Sequence, residues 1–482
     1  MKGNTIRMLE FKTNREDISA DLLDEVKLFY PYQEECFVSI THECGFESVS
    51  GGENVNNVVS LCGKTYRYTD FLPNGLTYIE RKRLYKRACK LAVFKALSDY
   101  TGVKPPWGSL TGIRPSKLVY DMLAKRYSLD DCETKLQTDF CVSPEKSRLI
   151  CDIVKNQSGI YVRDKKLFNL YVHIPFCTTK CYYCAFATEL VSKSESRFPK
   201  YIELLHREIE EAVDFISKHG KLFSVYVGGG TPTTLSDRQL NTLFDGFPFR
   251  DVEFTIEAGR PDTITVEKLD AIKNIGASRI CVNPQTLNDE TLIKIGRAHT
   301  AGDFFDKYAL AKKYGFDINV DLIAGLNDET TEDFARTLDA VKTLRPENIT
   351  VHTLSRKNGS QLKQDGKYDN SEISKMTDYA LTALSAAGYI PYYLYRQKQM
   401  LGNLENVGYS LPGKQCVNNV TTMEDCMSVI ACGAGSITKA VDSSRGKIVR
   451  FASLRDSALY IERFDEKAEE KRNFLQKQFT ND

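Results

Sequence analysis

The sequence predicts an α/β protein: a central run of parallel βα units, with an α+β domain before it and a further region after it. Two observations carry this. From Leu167 onward, six short apolar, β-rich runs alternate with amphipathic helical stretches, the pattern of strands joined by crossover helices. The first run leads into a loop holding Cys177, Cys181 and Cys184, and the second runs into three glycines. Residues suited to ligands therefore gather after strands, where such proteins place their chemistry. The implied domains are residues 1–160, 161–368 and 369–482.

In the first domain, Thr5–Lys12 and Phe37–Ile40 read as strands and Glu16–Phe29 as a helix. Thr77–Tyr100 is an amphipathic helix that turns Ile79, Leu84, Cys89, Leu91, Val93 and Leu97 towards a core. The only tryptophan, Trp107, sits in a Pro/Gly-rich irregular loop with Arg114 and Lys117. Helices over Leu118–Tyr127 and Pro144–Ser158 lead to the central run.

There the strands are Leu167–Ile174, Leu222–Val227, Val252–Ile256, Arg279–Val282, Ile318–Ile323 and Ile349–Leu354. The helices between them are Tyr201–Lys218, Asp237–Phe244, Val266–Ile275, Asp303–Tyr314 and Glu332–Thr343. After residue 369 come a helix (Ser371–Ala387), a tyrosine-rich strand (Tyr389–Tyr395), two loops (RQKQMLGNLENVGY and CGAGS) and a closing helix, Ser457–Phe479.

Composition bounds the function. A net charge of +1 makes no case for nucleic acid or an anionic membrane as partner. No apolar run is long enough to span a bilayer, and the N-terminus is too polar for a secretory signal. The 14 cysteines lie mostly within apolar segments, which points to a reducing, cytoplasmic setting.

Three thiolates on one short loop can hold three corners of an iron–sulfur cluster and leave one iron open to a ligand. Zinc is the alternative, but it prefers four ligands and paired CxxC knuckles, and no second knuckle follows. A disulfide would leave one of the three cysteines over. Three incidental core cysteines are the plain reading.

The motif YVHIPFCTTKCYYCAF, with Tyr183 before the last cysteine, resembles the signature of the radical S-adenosylmethionine (SAM) superfamily. Its first half is similar to oxygen-independent coproporphyrinogen III oxidases and their relatives. LTGIRPSKL and YYLYRQKQMLGNLENVGY on the flanks resemble the HemZ-type coproporphyrinogen dehydrogenases. The resemblance implies a partial (β/α)6 TIM-like barrel. It implies a [4Fe–4S] cluster on Cys177, Cys181 and Cys184, with SAM on the open iron. Reduction of that pair yields a 5′-deoxyadenosyl radical.

For SAM the resemblance implies Gly229, Gly230 and Thr231 of GGGTPT, then Glu257, Gln285, Arg297 twelve residues later, Asp321, and Thr353 more loosely. Tyr171 and His173 are implied beside the cluster, in catalytic positions, with Tyr171 also approaching SAM. Implied partners are a tetrapyrrole substrate and a small electron donor such as flavodoxin or ferredoxin. The implied reaction is anaerobic oxidative decarboxylation of coproporphyrinogen III to protoporphyrinogen IX. The chain departs from the best-known oxidases at Phe186, where they carry a further cysteine. The haem-chaperone branch also lacks that cysteine, so a haem-binding chaperone and a radical haem-degrading enzyme stay open as alternatives.

Overall fold

The structure is a computed structural model that describes residues 9–30, 38–249, 251–326, 328–355, 360, 362, 370–397, 400–442 and 446–479. The chain divides into two compact units, Met1–Cys151 and Asp152–Asp482.

The first unit is a four-stranded sheet in the order β1 (Leu9–Thr13), β2 (Val38–Val49), β3 (Gly52–Leu61), β4 (Lys64–Pro73). β1 and β2 are parallel and joined through α1 (Ser19–Phe29); the other pairs are antiparallel. Alternation puts Val38, Ile40 and Cys44 of β2 and Val55, Val59 and Leu61 of β3 inside. α2 (Tyr78–Thr101) starts at a capping box between Thr77 and Glu80 and stops at Gly102, whose backbone is left-handed. It buries Cys89, Leu91, Val93 and Leu97 as expected. Ile79 is a correction: it sits in the first turn, ahead of the packed stripe, and is 77% exposed. The strand expected from Thr5 is described only from Leu9; Thr5–Met8 and Phe37 lie outside the described residues.

In the second unit, β5 (Leu167–Ile174), β6 (Lys221–Gly229), β7 (Glu253–Ile256), β8 (Arg279–Cys281), β9 (Asp317–Ala324) and β10 (Asn348–Thr353) lie side by side in chain order, all parallel. α3 (Phe198–His219), α4 (Asp237–Leu243), α5 (Val266–Asn274), α6 (Ala301–Lys312) and α7 (Thr331–Thr343) make the crossovers. This is a partial β/α barrel. Ser236, Thr300 and Thr330 each begin a helix through a capping box, which fixes where strand loop gives way to helix.

The C-terminal region adds strands to the same sheet, one of them the expected tyrosine-rich run. After α8 (Asn370–Ala386), β11 (Ile390–Tyr395) pairs with β12 (Asn406–Ser410), and β12 runs antiparallel to β10. After α9 (Val417–Met423), β13 (Ser428–Cys432) runs parallel to β5 on the opposite edge, and β14 (Ile437–Asp442) and β15 (Lys447–Ala452) extend it. The sheet then has eleven strands. β12 lies inside the stretch expected to be a loop. Its Gly408 disguises it, since glycine weakens strand propensity. It is needed there because a Cβ would fall 1.8 Å from the Tyr393 ring. The closing helix is also two pieces, α10 (Ser457–Glu462) and α11 (Phe464–Phe479), parted at Arg463.

One buried ion pair ties α11 to the barrel. Lys471 on α11 donates to Glu208 on α3 at 2.9 Å and to the Ala431 carbonyl at 2.7 Å. Glu208 accepts in turn from the Gly433 N–H at 2.8 Å and the Tyr460 hydroxyl at 2.7 Å. The CGAGS segment (Cys432–Ser436) is thereby held against β5, where a Cβ on Gly433 would lie 2.4 Å from the His173 carbonyl oxygen. Removing one partner of such a pair strands a buried charge. Lys471→Ala is expected to destabilise the second unit by about 3–5 kcal/mol, read as a lower urea midpoint.

Candidate functional site

The C-terminal ends of β5 and β6 define the site. Gly230 donates from its N–H to the Ile174 carbonyl at 2.7 Å, and Thr231 to the Phe176 carbonyl at 2.8 Å. The chain leaving β6 therefore runs along the entry to the cysteine loop. That loop is pinned on its far side as well. The Thr179 hydroxyl donates to the Gly296 carbonyl at 2.8 Å, and the Tyr182 N–H to the Ile295 carbonyl at 3.0 Å. The Cys184 N–H closes a turn onto the Cys181 carbonyl at 3.0 Å.

Cys181 is buried, and Cys177 and Cys184 are half-buried. The Cys177 Sγ lies 3.5 Å from the Thr231 hydroxyl, and burial pushes its thiol above the ordinary range. Two guanidinium groups approach the Cys181 Sγ: Arg260 Nη1 at 3.6 Å and Arg297 Nη1 at 3.9 Å. As they stand, no three His, Cys, Asp or Glu side chains among the described residues are gathered closely enough to hold a metal ion.

The glycines have steric reasons. A Cβ on Gly229, where φ is +110°, would lie 2.8 Å from the His173 ring, and one on Gly230 would lie 2.5 Å from the Phe176 carbonyl oxygen. His173 and Tyr171 share one face of β5, with the hydroxyl 3.1 Å from Nδ1. Burial pulls the His173 ring down to about 4, so it is neutral over the ordinary pH range.

Further round the barrel, Tyr171 stacks near Tyr226, and Tyr226 donates a short hydrogen bond to Glu257. Burial raises the Glu257 carboxyl to about 7. Asp321 accepts from Asn283 at 2.8 Å and Asn319 at 2.7 Å and faces His352 Nε2 at 3.6 Å. Burial alone would raise this carboxyl, but hydrogen bonds and the His352 charge hold it below its ordinary value. His352 in turn meets the Tyr395 hydroxyl at 3.3 Å.

The remaining expected residues are less alike in setting. Gln285 has a left-handed backbone, φ +71°, bridged to β9 through the Asp321 carbonyl and the Ile323 N–H. The Arg297 guanidinium is engaged by the Gly259 and Asn283 carbonyls as well as by Cys181. Thr353 is tied inward: its N–H donates to Asn406 Oδ1 at 2.9 Å and its hydroxyl to the Glu405 carbonyl at 2.8 Å. Arg396, in the segment after β11, is buried and binds the Asn403 and Leu404 carbonyls, while Lys398 lies outside the described residues. Sequence reasoning missed Tyr226, Arg260, Asn283 and His299. Tyr226 carried a signal, since it shares its face of the strand with Gly228, the first of the three glycines.

Comparison with known proteins decides the family. A family model described as the radical SAM superfamily matches residues 171–341. The oxygen-independent coproporphyrinogen-III oxidase-like protein HemZ of Bacillus subtilis (strain 168) is 37% identical over 440 residues, 88% of this chain and 88% of that protein. The chain belongs to this radical SAM family. The haem chaperone HemW of the same organism is 35% identical over 193 residues, 38% of this chain and 49% of its own. The structure of coproporphyrinogen III oxidase HemN from Escherichia coli shares the fold, with a TM-score of 0.51 and 22% identity over 65% of this chain and 73% of that one.

Proteins of this family use a [4Fe–4S] cluster and SAM. The residues present fit both. Three thiols share a pinned loop, and guanidinium N–H groups, one of them the buried Arg260 Nη2 with no partner among the described residues, stand around Cys181 to stabilise a thiolate. The glycine ridge leaves backbone exposed where side chains would not fit.

Two outcomes follow. Gly229→Ala must displace the His173 ring and is expected to weaken SAM binding at least tenfold, about 1.4 kcal/mol, with the iron content unchanged. Ionisation of Glu257 near pH 7 supplies a carboxylate able to accept from a ligand hydroxyl. SAM affinity is then expected to rise as pH climbs towards about 7 and level off above it. In Glu257→Gln that dependence is expected to vanish; equilibrium binding across pH checks it.

Proposed function

We propose that the protein is a radical SAM enzyme that oxidatively decarboxylates coproporphyrinogen III to protoporphyrinogen IX under anaerobic conditions. What supports this reading is the extent of likeness. Identity to the oxidase-like relative runs through 88% of both chains, the first unit included, whereas likeness to the haem chaperone covers 38% of this chain. Each of two propionates loses a hydrogen atom from its β-carbon, CO₂ from its carboxylate and one electron to an external acceptor, leaving a vinyl group.

Cys177, Cys181 and Cys184 would hold the cluster. Gly229, Gly230, Thr231, Glu257, Gln285, Arg297, Asp321 and Thr353 would hold SAM. Bound together, the two cofactors supply a carbon-centred oxidant strong enough to take a hydrogen atom from an unactivated C–H bond. Tyr171 and His173 are the side chains this reading sets beside the reacting groups. A neutral His173 adds no positive charge next to a sulfonium, so it orients without repelling. The barrel wall of Tyr171, Tyr226 and Tyr395 excludes water from the reacting carbon. The electron donor in this reading is a small flavodoxin or ferredoxin.

The chaperone reading has one observation in its favour: Phe186 stands where the best-known oxidases carry a further cysteine, and its ring is 62% exposed. Turnover separates the two. Anaerobic protein with its cluster reconstituted, given dithionite, SAM and coproporphyrinogen III, is expected to form both 5′-deoxyadenosine and protoporphyrin, and Cys181→Ser neither. Deoxyadenosine without a decarboxylated porphyrin would overturn the substrate. Tight haem binding without turnover would point to the chaperone, and haem loss with ring opening to a degrading enzyme.

A further inference from the structure

We propose that Arg260 is a positioning residue for the iron–sulfur cluster, one that raises the cluster's reduction potential. It lies on the turn after β7 in the segment EAGRPD and is 3% exposed. Nη1 donates to the Cys181 Sγ at 3.6 Å and to the Thr179 carbonyl, two residues earlier on the loop, at 3.4 Å. Nε pairs with Asp262 at 3.3 Å. Nη2 is buried and has no acceptor among the described residues.

That last nitrogen separates a structural pin from a tuning residue. A buried N–H left without a partner is costly, and a guanidinium serving only to hold the loop has no use for it. A sulfur of a cluster on Cys181 is an acceptor of the right kind beside the bond that Nη1 already makes. The Arg297 Nε is likewise buried without a partner among the described residues. Two guanidinium groups thus face the Cys181 sulfur, and Asp262 is a carboxylate paired to Arg260.

The consequence is electrostatic. Reducing the cluster by one electron makes it and its thiolates more negative by one charge. A fixed cation and N–H···S bonds stabilise the reduced state more than the oxidised one. Inside a protein such terms are larger than in water. Arg260 therefore makes the cluster easier to reduce, whatever the substrate proves to be.

The test uses the full chain with its cluster reconstituted. Iron and sulfide are assayed first, and the reduced cluster is then followed by electron paramagnetic resonance through a dithionite titration. Arg260→Gln is expected to lower the ratio of reduced to oxidised cluster about tenfold at a fixed potential, a shift of about 59 mV for a one-electron couple. Arg260→Lys keeps the charge but not the fork and is expected to fall between. Asp262→Asn removes the opposing charge and is expected to shift the potential the other way. Full iron content with an unchanged potential in Arg260→Gln would overturn the proposal. If Arg260→Gln fails to hold iron, Arg260→Lys decides: a lowered potential supports tuning and an unchanged one overturns it.

Discussion

The close approach of β5 and β6 at their C-terminal ends sets the position of everything in the site. Gly230 has no room for a side chain, because the Phe176 carbonyl oxygen occupies the space a Cβ would take. The backbone bonds from Gly230 and Thr231 to Ile174 and Phe176 then dictate where the cysteine loop begins. One strand pair thus brings the Cys177 thiol to the Thr231 hydroxyl, 54 residues further along the chain. A larger residue would push apart the strand that bears His173 and the loop that bears Cys177.

The barrel half is held from outside by the C-terminal region. β13 adds a parallel strand beside β5, and its CGAGS extension lies on the His173 carbonyl. The Glu208–Lys471 pair and the Tyr201 hydroxyl lock that extension, with Tyr201 also donating to the His173 carbonyl at 3.1 Å. On the other edge, Asn406 of β12 caps the Thr353 N–H. Residues far along the chain thereby immobilise both flanks of the site, which catalysis with a reactive intermediate requires.

The six barrel strands were legible because each is a short apolar run, and four of them lead into helices capped at Ser236, Thr265, Thr300 and Thr330. The cysteines and glycines were legible because their spacing sits directly after strands. Among the C-terminal strands β11 was legible as a tyrosine-rich run, but β12 and β13 were not, since β12 contains Gly408 and β13 is a five-residue run, SVIAC, with no alternation. A strand buried on both faces carries no period-two signal. In the first unit, β3 (GENVNNVVSL) hides behind asparagines on its outer face, and its turn to β4 uses Cys62 and Gly63 with positive φ. That is the geometry of a tight hairpin, but cysteine is not its usual sequence marker. Arg260 was missed for a different reason. Its role depends on burial, and nothing in EAGRPD reveals that its guanidinium turns inward to Cys181.

The distribution of charge within the barrel gives the site its polarity. Arg260 and Arg297 stand at the cysteine loop, while Glu257 and Asp321 stand across the barrel among hydroxyls and amides. The arginine pair and Glu257 are each costly alone. Two buried cations around one thiol repel each other, and a carboxyl raised to about 7 reports poor solvation of its anion. Thiolates of an anionic cluster relieve the first cost, and a ligand that brings hydroxyl donors or positive charge relieves the second. SAM carries ribose hydroxyls and a sulfonium, and its own carboxylate suits the basic side. The buried guanidinium groups and the Glu257 carboxyl therefore make opposite demands, the first for an anionic ligand and the second for one that brings hydroxyl donors or positive charge.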